Sequence, residues 1–146
     1  MLAELGFVAT ILAFASALYA VVAALFGARS RRDQFVISGR NASLLTAVLL
    51  TIACLTLLIG LVVEDYTISY VWSVSNPSMP LFYRVTALWG SQAGSLLFWS
   101  FLMSAFTAVA IAINWRGQRR LMPYVIAYSM VVLAFFLGLS LFIENP

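Results

Sequence analysis

The chain has 146 residues, 64% of them hydrophobic and only 9% charged. Soluble domains carry about 25% charged residues, so this composition excludes an ordinary soluble domain and points to an integral membrane protein. The net charge of +3 comes entirely from arginine, and seven of the eight Arg fall in two short clusters between apolar runs, a topological pattern rather than a nucleic-acid-binding one.

Four apolar runs reach the roughly 20 residues that a bilayer core demands. The first spans about Leu5 to Gly27, too long for a signal-peptide core and without a basic region before it. The second covers about Ser43 to Val63, the third about Leu88 to Ile113 and the fourth about Tyr124 to Ile143, all within a single membrane domain over 1–146. The predicted loops at 28–42 and 114–123 hold seven Arg against one acid, Asp33. The other side holds Arg84 alone against Glu4, Glu64, Asp65 and Glu144. The positive-inside rule therefore places both termini outward with four helices between them. Asn41-Ala42-Ser43 matches a glycosylation sequon but falls on the predicted inner side, which discounts it.

The first span carries a small-residue seam at Ala13, Ala17, Ala20, Ala24 and Gly27. Such a seam lets another helix approach closely, and it is also what an Ala-rich membrane helix contains by composition. The outer segment, 64–87, includes "DYTISYVWSV", where Tyr66, Ile68, Tyr70, Trp72 and Val74 alternate with smaller residues. A period of two predicts a short extended aromatic strand. Pro77 and Pro80 then break it.

No His is present, which excludes His-ligated haem, zinc or copper and His acid–base chemistry within the chain. The single thiol, Cys54, sits mid-span and reads as a small packing residue. No ionisable residue lies mid-membrane, which argues against a transporter.

The most particular stretch is "YRVTALWGSQAGSLLFW", Tyr83 to Trp99. Read as one helix from about Leu88, it puts Gly90 and Gly94 in a G-x-x-x-G face with Ser91 and Ser95 beside them, a flat surface for a partner helix or a flat ligand. Trp89 and Trp99 would then stand about 15 Å apart along the axis, too far to hold one small ligand together. The same stretch also reads as an aromatic belt with a packing face.

These residues resemble the N-terminal signature of the CcmF family, the membrane haem lyase component of cytochrome c maturation. The family's tyrosine-arginine pair corresponds to Tyr83 and Arg84, its tryptophan-glycine to Trp89 and Gly90, its glycine-serine-leucine-leucine to Gly94 through Leu97, and its next tryptophan to Trp99. The acids after the second span, "DYTISYV" and the closing "ENP" follow in the family's order, so the resemblance covers the whole chain. Two departures stand out. Gln92-Ala93 replaces a frequent His-Glu, and the chain is several-fold shorter than a full member. It matches the first four helices only, as a fragment or a split-gene product, and lacks the family's tryptophan-rich motif and haem-ligating histidines.

The resemblance implies a bacterial inner-membrane component supporting covalent attachment of haem to the C-x-x-C-H thiols of apocytochrome c on the outer side. It implies haem as the handled cofactor, with no axial ligand from this chain, which would not be catalytic alone. The implied partners are the remaining helices or subunits of the lyase, a haem chaperone and apocytochrome c. Trp72, Arg84, Trp89 and Gln92 are the candidate contacts to haem or a partner, with Arg84 either pairing a haem propionate or anchoring the interface. The alternative is a non-catalytic scaffold subunit working through its small-residue faces.

Overall fold

The computed structural model describes residues 1–143. Glu144 and the closing "ENP", read above as outward, lie outside the described residues. The described chain is all helical: α1 (Leu2–Ser30), α2 (Asp33–Val63), α3 (Ser69–Val74), α4 (Leu81–Gly90), α5 (Gln92–Asn114) and α6 (Met122–Phe142). Helices α1, α2, α5 and α6 are long and apolar enough to cross a membrane. Helix α2 is the hub, packing against α1, α5, α6 and both short helices.

The small-residue seam explains the tightest contact. Ala13, Ala17, Ala20 and Ala24 are fully buried, and α1 lies along α2 on one flank and α6 on the other. In lipid, apolar burial gives little drive for helix association, so close van der Waals packing supplies it. A Cβ on Gly39 would come within 3.0 Å of the Ala24 amide nitrogen and 3.2 Å of the Ala20 carbonyl oxygen. Two polar contacts tie the same faces: Ser16 Oγ donates to the Ala42 carbonyl at 2.8 Å, and the Tyr19 and Ser38 hydroxyls meet at 2.6 Å. Other hydroxyls in the spans, such as those of Thr46, Thr51 and Thr56, donate to the carbonyl four residues back and are satisfied within their own helix.

Three expectations change. The loop expected over 28–42 shrinks to Arg31 and Arg32, because α2 starts at Asp33. Its first turns are helical because Val36 and Gly39 pack on α1, opposite Gly27 and Ala24. Arg31 ends α1 in the left-handed region, φ 54°, and Arg31 and Arg32 both donate backbone N–H groups to the Gly27 carbonyl. The aromatic segment expected to be extended is instead a turn followed by α3. Alternation over so few residues also fits one and a half helical turns, and the burial of Tyr70 and Val71 settles the conformation. The third span begins at Gln92, not Leu88, because the chain is extended at Ser91, φ −121° and ψ 165°.

At the Arg-rich end the α5–α6 connection is held to α2. The guanidinium groups of Arg40 and Arg119 lie 4.5 and 4.4 Å from the centroid of the Trp115 ring, and Arg119 reaches Asp33 at 3.7 Å. Cation–π contacts of this kind contribute about 0.5–1 kcal/mol each where exposed.

Gly39→Leu should force α1 and α2 apart and destabilise the bundle by about 1–3 kcal/mol. Gly117→Leu, where a Cβ meets open space, should be near neutral. Unfolding midpoints in detergent check this, and equal midpoints for the two variants would refute the close-approach account.

Candidate functional site

The aromatic end is organised from Tyr70. After α2, Glu64 caps the helix in the left-handed region, φ 62°, with its N–H on the Gly60 carbonyl. The Asp65 carboxylate then accepts from the Thr67 hydroxyl and, at 3.1 Å, from the Thr67 amide, forming a tight turn. Those two hydrogen bonds hold the Asp65 carboxyl below its usual value, the hydroxyl having the larger effect. The turn delivers α3, whose Tyr70 is buried although its neighbour Trp72 is exposed.

The Tyr70 hydroxyl donates to the Ala87 carbonyl at 2.6 Å and accepts from Ser91 Oγ at 2.7 Å. Ala87 lies in the last turn of α4, whose carbonyls have no helical partner, so Tyr70 supplies a missing donor. Burial raises the Tyr70 phenol above its ordinary value, and the Ser91 hydrogen bond partly opposes this. Ser91 also caps α5, its Oγ accepting from the Gly94 amide at 3.4 Å. Gly94 completes the arrangement: a Cβ there would collide with the Tyr70 hydroxyl and the Leu88 carbonyl.

The predicted G-x-x-x-G face is therefore divided. Gly94 is packed within the chain, whereas a Cβ on Gly90 meets nothing within 4 Å. Ser95 spends its hydroxyl on the Gln92 carbonyl at 3.0 Å.

The helix break has a second effect. It folds α4 against α5 and brings Trp89 to Phe98, with ring centroids 5.6 Å apart. Phe98 in turn meets Trp99 at 6.2 Å and Phe101 at 6.4 Å. The two tryptophans held apart on a straight helix are thus joined through Phe98, which the sequence reading did not single out. The signal was a Ser followed by polar Gln92 and Gly94 just before an apolar run, an N-cap pattern. Trp89 and Trp99 remain 47% and 65% exposed, and Gln92 is exposed beside them. Trp72 is 73% exposed on α3 and makes no ring contact with this cluster among the described residues.

Arg84 is engaged within the chain. One terminal nitrogen pairs with Glu64 at 2.5 Å and the other donates to the Pro77 carbonyl at 3.3 Å. Its side chain is 14% exposed. The pair connects the end of α2 to α4 across the whole loop.

Among the described residues no group of three or more His, Cys, Asp or Glu is placed to hold a metal ion. Cys54 is buried in α2 and unpaired. With no His in the sequence, these residues do not fit the axial ligation of haem iron. The arrangement offers flat aromatic surface and a rigid mounting for it.

No protein-family model matches the chain. Curated relatives match it from end to end. It is 35% identical over 146 residues to the cytochrome c-type biogenesis protein CcmF of Escherichia coli, covering 100% of this chain and 23% of that protein. It is 33% identical over 151 residues to the cytochrome c-type biogenesis protein NrfE of Haemophilus influenzae, again covering 100% of this chain and 23% of that protein. The chain thus spans under a quarter of the length of these relatives. A solved structure of Cytochrome c Heme Lyase CcmF shares the fold, with a TM-score of 0.90 and 24% identity over 100% of this chain and 24% of that one. Along its whole length the chain matches the N-terminal, four-helix portion of the CcmF family of cytochrome c-type biogenesis proteins.

Proposed function

We propose that this chain is the N-terminal membrane module of a cytochrome c haem lyase, supporting covalent attachment of haem to the C-x-x-C-H thiols of apocytochrome c. The end-to-end match to the cytochrome c-type biogenesis proteins carries this reading. In it, the aromatic end faces outward, the Arg-rich end faces the cytoplasm, and the membrane is the bacterial inner membrane. Haem is the substrate, and its reactive vinyl groups supply the chemistry. The module is not catalytic alone, because axial ligands must come from outside these residues. Its partners are the remaining helices or subunits, a haem chaperone and apocytochrome c.

The contact surface we infer is Trp89, Phe98 and Trp99 with Gln92, and Trp72 on the neighbouring short helix. Flat aromatic faces suit a porphyrin or an apolar partner helix. Arg84 serves this surface indirectly: its two terminal nitrogens are taken by Glu64 and Pro77 and its unpartnered Nε is buried, which favours a positioning role over a propionate contact.

Accessibility labelling of single cysteines at Ser30, Ser75 and Gln118 checks the orientation. Only Ser75 should label from outside.

Gly94→Leu should reduce haem-stained cytochrome c severalfold in cells that depend on the complete system, because it displaces Tyr70 and tilts α4. Gly90→Leu is the comparison. Equal loss in both would mean that Gly90 faces a helix from elsewhere, and undiminished maturation in both would remove the aromatic end from function.

Glu64→Gln and Arg84→Gln should each impair the same assay, and the double variant should be no worse than either single, a coupling of about 0.5–3 kcal/mol. A propionate contact predicts instead that Glu64→Gln leaves maturation intact while both Arg84→Gln and Arg84→Lys lose it.

A further inference from the structure

The Arg-rich end contains a cleft of ≈ 550 Å³ between the end of α1, the start of α2 and the start of α6. Its lining includes Arg31, Arg119 and Arg120 against a single acid, Asp33, with Pro123 and Tyr124. The charges are unevenly committed. Arg119 is held by Asp33 at 3.7 Å and by the Trp115 ring. Arg31 and Arg120 form no ion pair among the described residues.

The positive-inside rule accounts for basic residues at this end of the bundle, but not for three of them converging on one cleft while Arg29 and Arg116 stay outside it. The cleft is also graded. Gly27, Val36 and Pro123 give an apolar floor, at the depth where α1 and α6 enter their apolar stretches. The guanidinium groups belong to residues just beyond those stretches, and Tyr124, 57% exposed, stands at the boundary. The floor is closely packed: Gly27 admits no Cβ beside Val36.

A cationic mouth over an apolar floor, at the level of the membrane interface, is complementary to one kind of molecule. We propose that this cleft binds an anionic glycerophospholipid, its headgroup phosphodiester held by Arg31 and Arg120 and its acyl chains running down past Tyr124. Basic pockets between membrane helices recognise anionic headgroups by this chemistry, and guanidinium forks suit phosphate oxygens. A free phosphate would satisfy the arginines but leave the apolar floor unused, which is why the lipid is favoured. The site stands independently of the haem lyase reading.

The test uses the chain extracted with its membrane partners, delipidated, and titrated with phosphatidylglycerol, phosphatidylcholine or inorganic phosphate under native mass spectrometry. Phosphatidylglycerol should bind more tightly than phosphatidylcholine. The paired change Arg31→Gln with Arg120→Gln should weaken it by about 30-fold, taking both cations as equivalent surface charges. Arg29→Gln with Arg116→Gln removes the same charge outside the cleft, where no guanidinium contact to the phosphodiester is lost, and should weaken binding clearly less than the cleft pair does. Arg31→Lys with Arg120→Lys guards against misfolding and should restore part of the binding lost in the Gln pair, since the charge returns without the fork. Equal losses in the two Gln pairs, equal affinity for the two lipids, or displacement of phosphatidylglycerol by millimolar phosphate would each overturn the proposal.

Discussion

Everything in this bundle depends on how closely two backbones approach where α1 crosses α2. Lipid tails are as apolar as leucine, so large apolar side chains gain little by turning inward. The chain places them accordingly. Val8, Leu12, Leu18 and Val22 point out from α1 while Ala13, Ala17, Ala20 and Ala24 disappear into the interface. The polarity rule of a soluble core is replaced by a size rule. Val36 and Gly39 meet this seam, and their contact carries α2 as a helix through a stretch whose composition suggests a polar loop.

At the opposite end a different interaction governs. A single phenol joins three elements: Tyr70 comes from α3, its acceptor from α4, and its donor Ser91 from the break before α5. Together with Gly94 it decides that the chain turns at Ser91 instead of continuing as one helix. The turn makes neighbours of Trp89 and Phe98. The aromatic surface offered to haem or a partner is therefore a product of a helix interruption, and the Glu64–Arg84 pair braces the loop that makes it.

Much of this was legible in the residues. The four spans follow from apolar length, and the seam follows from Ala spacing, because both are local patterns on one helix. What was not legible depends on distant partners. Arg84 looked like an unpaired outer cation because Glu64 lies twenty positions away, and only the folded loop brings them together. Gly90 and Gly94 looked alike because spacing says nothing about a break between them. The alternation over Tyr66–Val74 looked like a strand because nine residues of alternating size also fit a turn followed by a six-residue helix, and burial of Tyr70 decided the matter.

The connection between α1 and α2 has a bearing on biosynthesis. With only Arg31 and Arg32 between them, the two helices form a hairpin whose contacts begin beside the turn, at Gly27 and Val36, and widen to Gly6 and Thr56, all within the first two spans. Such contacts close without waiting for distant sequence. At synthesis rates of about 5–20 residues per second, the segment between Val63 and Gln92 takes about 1.5–6 s to emerge. The Ala seam thus has about 1.5–6 s to engage before α5 emerges, and the later helices meet a hairpin whose two halves are already side by side. A substitution in that seam acts on the template, whereas one at Tyr70 or Ser91 acts on a finishing step.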